Sequence, residues 1–119
     1  MNNIWLGFLF KHFLADYALQ YPYMYLNKGK YGHLGGILHA GLHAVLTCLV
    51  LLLFGVYDAH ILLLATLFDF VCHYHIDFTK SNTMRKFDLH TQNYWYWFVH
   101  GLDQLLHLLT YYVIIQFII

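Results

Sequence analysis

Four apolar segments, at about residues 4–21, 34–56, 59–78 and 94–119, take up most of this chain. Each is long enough to cross a bilayer as a helix, which takes roughly 17–25 residues. An amphipathic helix of a soluble protein is apolar on one face only. These segments are apolar nearly all round, with polar residues confined to a narrow stripe. Only 10% of the residues are charged and 61% are hydrophobic, whereas a soluble domain carries about 25% charged residues. So few charges do not cover a soluble globule, and lipid is the natural solvent. The pattern predicts an all-α protein: a four-transmembrane-helix bundle of up-down topology, forming a single integral membrane domain over residues 1–119.

The breaks between segments carry the turn and interface signals. The only proline, Pro22, disfavours helix just before it, and the glycine-bearing stretch NKGKYGHLGG follows. The turn near Asp58 is short, and the polar run TKSNTMRKFDLHTQN is expected to end the third span. YPYMY and YWYWF are aromatic clusters of the kind that anchor at membrane interfaces. The start, MNN, lacks the basic region of a cleavable signal peptide. Lys28 and Lys30 lie in the first loop, and Lys80, Arg85 and Lys86 lie in or beside the third. Basic loops favour the cytoplasmic side, so both termini are expected outside the cytoplasm, in a bacterial inner membrane. Lys11, inside the first span, is expected to snorkel to the outer interface. Cys48 and Cys72 show no CxxC spacing and read as small apolar residues.

There are ten histidines, and every acidic residue is an aspartate. Asp16, Asp69, Asp77 and Asp103 fall inside apolar segments. Residues four apart share a helix face, which groups them into stripes: His12, Asp16 and Gln20; His39 and His43; Asp69, His73 and Asp77; His100, Asp103, Gln104 and His107, extended by Tyr111. His75 points away from the third stripe. At about 1.5 Å per residue, Asp16, His39, His73 and His100 lie at matching depth, with His12, His43, Asp69 and Asp103 or His107 roughly one turn deeper. In an up-down bundle this places a polar His/Asp core in the cytoplasmic half. Gly36, Ala40 and Ala44 form a small-residue ridge that lets helices approach.

An aspartate near mid-bilayer costs about 2.5–3.5 kcal/mol on insertion scales, so several of them require inward-facing partners, water or metal. The expected metal ligands are His12, Asp16, His39, His43, Asp69, His73, His100 and Asp103. Imidazole and carboxylate suit zinc, iron or manganese, and so many ligands leave room for two divalent ions. Asp103 and His107 are the expected catalytic acid–base groups, and Lys80, Arg85 and Lys86 the contacts to a substrate headgroup. Single residues also have plainer readings. His107 and the glutamines serve as interhelical hydrogen bonders, and Asp77 and Lys80 pair with each other at i, i+3. No Gly-x-Ser-x-Gly, P-loop or dinucleotide fingerprint occurs.

HFLADYALQ, HAGLH, FDFVCHYHIDFTK and HGLDQLLHLL together resemble a small bacterial and phage membrane family, known as domain of unknown function 3307. The resemblance spans nearly the whole chain and implies a polytopic membrane protein, but brings no activity. The residues themselves point first to a metal-dependent hydrolase acting on a lipid or lipid-linked phosphate. An ion- or proton-coupled transporter or channel is the second reading. An interaction protein with a structural polar core is the third. The expected partner is membrane lipid, with homo-oligomers allowed. A net charge of zero with neutral histidines argues against nucleic acid.

Overall fold

The computed structural model describes residues 3–119, and among them no strand forms. Helix α1 covers Ile4–Phe13 and runs on into a π-helical turn, Leu14–Ala18. The single turn α2 is Pro22–Tyr25, α3 is Leu34–Leu53 and α4 is Ala59–Lys86. Helix α5 is Tyr94–Val113, extended by a second π turn, Ile114–Ile118.

Local chemistry sets these limits. Leu19 N–H donates to Leu14 O at 2.8 Å, the i→i+5 bond that closes the first π turn. Pro22 then opens α2, where its missing N–H leaves nothing unsatisfied. The first helical stretch therefore stops at Ala18, short of residue 21. With ten α-helical and five π-helical residues, it is shorter than an ordinary span. His33 caps α3 by accepting from Gly35 N–H at 3.0 Å. Past Leu53 the chain turns through Gly55 at φ 87°, a left-handed conformation that favours glycine. The Asp58 carboxylate caps α4 by accepting from the N–H groups of His60 and Ile61.

Helix α4 outlasts the expected third span. The run TKSNTMRK holds no glycine or proline, and its polar side chains bond back to the helix. Asn82 donates to Phe78 O at 2.8 Å and Thr83 to Thr79 O at 2.8 Å. The helix ends at Lys86, with Phe87 as its C-cap and Asp88 following at φ 50°. Asn82 also donates to Gly29 O at 3.1 Å, which ties the first loop to the end of α4.

Three helices, α3, α4 and the α5 segment through Ile118, are long and apolar enough to cross a membrane. Burial is inverted relative to a soluble protein. Phe10, Leu53, Leu63, Trp95 and Phe117 are among many large apolar side chains left exposed. Lys11, His39, His43, Asp69, His73 and His107 are buried. Helix α3 is the hub, packing on α1 and α2 and most extensively on α4, which also packs on α5. The small-residue ridge does as its composition suggests: Ala40 and Ala44 are buried, and a Cβ on Gly36 would sit 3.4 Å from the Tyr74 ring and 3.5 Å from Lys28 Cα. Beyond the polar cluster, Ile4, Phe8, Val50, Leu51, Ala65, Tyr111 and Ile114 close into an apolar core, from which the Tyr111 hydroxyl reaches back to His12.

Candidate metal centre

Four helical elements deliver one polar cluster. The π turn brings in Asp16, α3 brings His39 and His43, α4 brings His73 and Asp77, and α5 brings Asp103 and His107. A π turn displaces side chains from their α-helical positions and often marks a functional segment. Here it sets Asp16 against α3. Asp16 Oδ1 lies 2.7 Å from His43 Nε2 and 3.2 Å from His39 Nε2. Asp77 Oδ2 lies 3.3 Å from both His39 Nε2 and His73 Nε2. Its Oδ1 lies 3.1 Å from His107 Nε2, which stands 3.3 Å from Asp103 Oδ1.

Contact distance is not the same as hydrogen bonding. His39 and His73 are each about 1% exposed, yet both nitrogens of each ring lack a hydrogen-bond partner among the described residues. The carboxylate oxygens Asp77 Oδ2 and Asp103 Oδ1 and the nitrogen His107 Nδ1 share that condition. A buried polar atom without a partner costs about 1–3 kcal/mol. Ligand atoms of Asp16, His39, His43 and His73 all fall within 4.8 Å of each other, and so do those of His73, Asp77 and His107. Around a tetrahedral zinc with bonds of about 2.0–2.1 Å, neighbouring ligands stand roughly 3.3 Å apart. The 3.2 and 3.3 Å separations fall at that value. His73 belongs to both groups, and its ring stacks between those of His43 and His107, at centroid distances of 3.5 and 4.0 Å.

Charge leads to the same point. Lys28 Nζ is 3.5 Å from Asp77, and Lys80 Nζ is 3.4 Å from Asp103. Among the described residues the Asp16 carboxylate is in ion-pair range only of the imidazoles of His12, His39 and His43. A cation among those rings would balance it.

The other expected ligands are placed differently. His12 is satisfied by protein: Nδ1 accepts from Tyr111 Oη at 2.6 Å, and Nε2 faces Gln104 Oε1 at 3.0 Å and Asp16 Oδ2 at 3.1 Å. It braces Asp16. Asp69 lies a turn deeper, accepting from Lys11 Nζ at 2.8 Å and Thr47 Oγ1 at 2.5 Å. Lys11 does not snorkel outward. It is 2% exposed, and its Nζ is also 3.0 Å from His43 Nδ1, which leaves His43 Nε2 to face the cluster. The carboxylate of Asp69 draws the ammonium inward. His100 stands apart, its Nδ1 accepting from Lys80 Nζ at 2.8 Å. The expected Asp77–Lys80 pair does not form: Asp77 turns into the cluster, and Lys80 reaches across to α5. Arg85 donates to Asn82, Lys86 lies over Phe87, and both basic side chains are exposed. His75 points outward, donating from Nδ1 to Val71 O at 2.8 Å and accepting at Nε2 from Tyr31 Oη at 2.9 Å.

A cavity of about 360 Å³ opens on the cluster, lined by Asp16, Lys28, Asp77, Lys80, His100 and Asp103 among others. Lys28, which sequence reasoning used only as a loop charge, thus becomes part of the site. The only signal for this was its place at the same boundary as Asp77. Lys11, Thr47 and Tyr111 support the cluster through contacts between helices, which no spacing within one helix encodes.

No curated protein and no solved structure matches the chain. Over residues 4–119, however, it matches the model of the family described as "Protein of unknown function (DUF3307)", and the chain belongs to that family.

Proposed function

We propose that this protein is a membrane-embedded metalloenzyme, a hydrolase whose divalent ion is held by His39, His43, His73 and Asp16. Asp77 and His107 would complete the coordination or hold a second ion beside the first. The observation that carries this reading is the set of buried ring nitrogens on His39 and His73 with no hydrogen-bond partner among the described residues. A bound divalent ion lowers the pKa of a coordinated water toward about 7 and polarises a phosphoryl or acyl oxygen. The side chains supply the rest. Asp103 lines the cavity, with His107 3.3 Å behind it, and can take and return a proton. Lys28 and Lys80 line the same cavity and favour an anionic headgroup. Zinc, iron and manganese all suit these ligands.

In the membrane, α3, α4 and α5 would cross the bilayer with α1 and its π turn as a short fourth span. The cavity would open on the cytoplasmic side, and both termini would lie opposite. Lys28, Lys30, Lys80 and Arg85 all line the cavities at this end, as the preference for basic residues on the cytoplasmic face requires. Elemental analysis of protein purified in detergent tests the centre directly. A transition metal near one or two per chain is expected, lost in His39→Ala, His73→Ala. Metal-free protein, or a double variant that keeps its metal, would end the proposal.

One feature favours transport as a second reading: the Lys11–Asp69 pair carries polar groups a turn deeper than the cluster. Against it, the apolar core of Ile4, Phe8, Leu51, Ala65 and Ile114 lies beyond that pair. Liposome flux of protons or metal, abolished by Asp16→Asn, would favour transport over hydrolysis.

A further inference from the structure

Beside the polar cavity, a second cavity of about 290 Å³ lies between α4 and α5, lined chiefly by Ile76, Thr79, Val99, Leu102 and Leu106. Leu102 and Leu106 are exposed, so this groove opens to the outside of the helices. It shares Lys80 and Asp103 with the polar cavity. Toward the start of α5 it shares Thr83 and Val99 with an apolar hollow of about 540 Å³, walled by Phe87, Leu89, Trp95 and Phe98. An apolar channel therefore runs along the α4–α5 seam from an aromatic mouth, of the kind that sits at a membrane interface, to the edge of the His/Asp cluster. Lys80 stands at the junction. It lines the groove, the polar cavity and the neighbouring basic cavity that contains Lys30 and Arg85.

This juxtaposition fits an amphiphile. An apolar groove facing lipid favours a hydrocarbon chain, and an ammonium at its inner end favours a phosphate. A water-soluble phosphate would leave the groove without a purpose, and a neutral lipid would not engage the excess of Lys30, Lys80 and Arg85 over Asp88 in the adjoining cavity. We infer that the α4–α5 groove holds an acyl chain of an anionic phospholipid, whose headgroup phosphate reaches Lys80 and the polar cavity. The substrate then arrives sideways from the bilayer. This deepens the proposed function and rests on it for the placement of the protein in a membrane.

The test uses the full-length protein in phosphatidylcholine nanodiscs containing phosphatidic acid with a photoactivatable acyl chain. Crosslinks, mapped by mass spectrometry, are expected to concentrate at Ile76, Val99, Leu102 and Leu106, and unlabelled phosphatidic acid should displace them where added phosphatidylcholine does not. Lys80→Ala should weaken that displacement about tenfold, the loss typical of a charged hydrogen bond. Leu102→Trp, which fills the groove and leaves every charge in place, should abolish labelling there. Labels spread evenly over outward residues such as Val45, Leu49 and Leu63, or equal displacement by phosphatidylcholine, would overturn the inference. So would unchanged labelling in Leu102→Trp. Metal content measured on the same samples separates the two proposals. Metal-free protein with groove labelling sinks the metal centre alone, and metal-loaded protein with scattered labelling sinks the groove alone.

Discussion

Two buried polar layers lie one helical turn apart, and they are built on opposite principles. In the deeper one, Lys11, Asp69 and Thr47 form a nearly closed set: the lysine and the threonine both donate to Asp69 Oδ2, and Asp69 Oδ1 alone of the three residues' polar atoms has no partner among the described residues. In the other, His39, His73, Asp77 and His107 crowd together with several nitrogen and oxygen atoms that have no hydrogen-bond partner among the described residues. Both layers bury charge, so burial by itself says little about role. The difference lies in whether the protein completes the bonding itself. A closed layer holds helices in register. An open layer asks for a ligand, because leaving it open costs about 1–3 kcal/mol for each orphaned atom.

The largest effect should come from breaking the closed layer. Lys11→Met leaves Asp69 buried without its cation, and removing one partner of a buried pair costs about 3–5 kcal/mol. Thermal unfolding in detergent measures this, and the double variant Lys11→Met, Asp69→Leu should recover most of the loss. If Lys11→Met instead emptied the metal site at unchanged stability, the division between layers would be wrong. His73→Ala attacks the open layer at the residue common to both ligand groups. Metal affinity, read by competition with a chelator, should fall by more than about 100-fold, beyond the 10–100-fold typical of groups that merely orient ligands. Chelation of the wild type should lower its stability by about 2.7 kcal/mol relative to a metal concentration of 100 times the Kd, and should leave the His39→Ala, His73→Ala variant unmoved.

A smaller effect sharpens the boundary. His12 is satisfied by Tyr111, Gln104 and Asp16, so Tyr111→Phe should weaken metal binding by only about 10–100-fold. A larger loss would make His12 a ligand in its own right. The smallest belongs to His75, which is exposed and bonded to Val71 and Tyr31. His75→Ala should change stability by no more than about 0.5 kcal/mol and leave metal content as it was.

The polar stripes were legible because helical spacing is a local property. Asp16, His39, His43, His73 and Asp103 could be placed on inward faces from their own segments. The partners of Lys11 could not. Its nearest acceptor, Asp69, is 58 positions away, and nothing within α1 separates a lysine that snorkels from one that pairs. Asp77 and Lys80 failed in the opposite direction: a local i, i+3 pair looked sufficient, yet stronger groups on α3 and α5 claimed each residue. The extent of α4 beyond the apolar stretch was not legible, because polarity marks where a span ends and not where a helix does. Polarity ends the apolar stretch, but only glycine, proline or a lost hydrogen bond ends the helix.

The amino-acid order alone settled that this chain is helical, too apolar for an ordinary soluble globule, and striped with histidine and aspartate. Those properties come from composition and from periodicity within single segments, which need no neighbour to be read. The tertiary structure divided the polar residues into a closed layer and an open one. It also made Asp16 meet α3 through a π turn and set Lys80 where an apolar groove meets a polar cavity. Each of these depends on which side chains converge from separate helices. Convergence is a property of packing, and no single helix carries it.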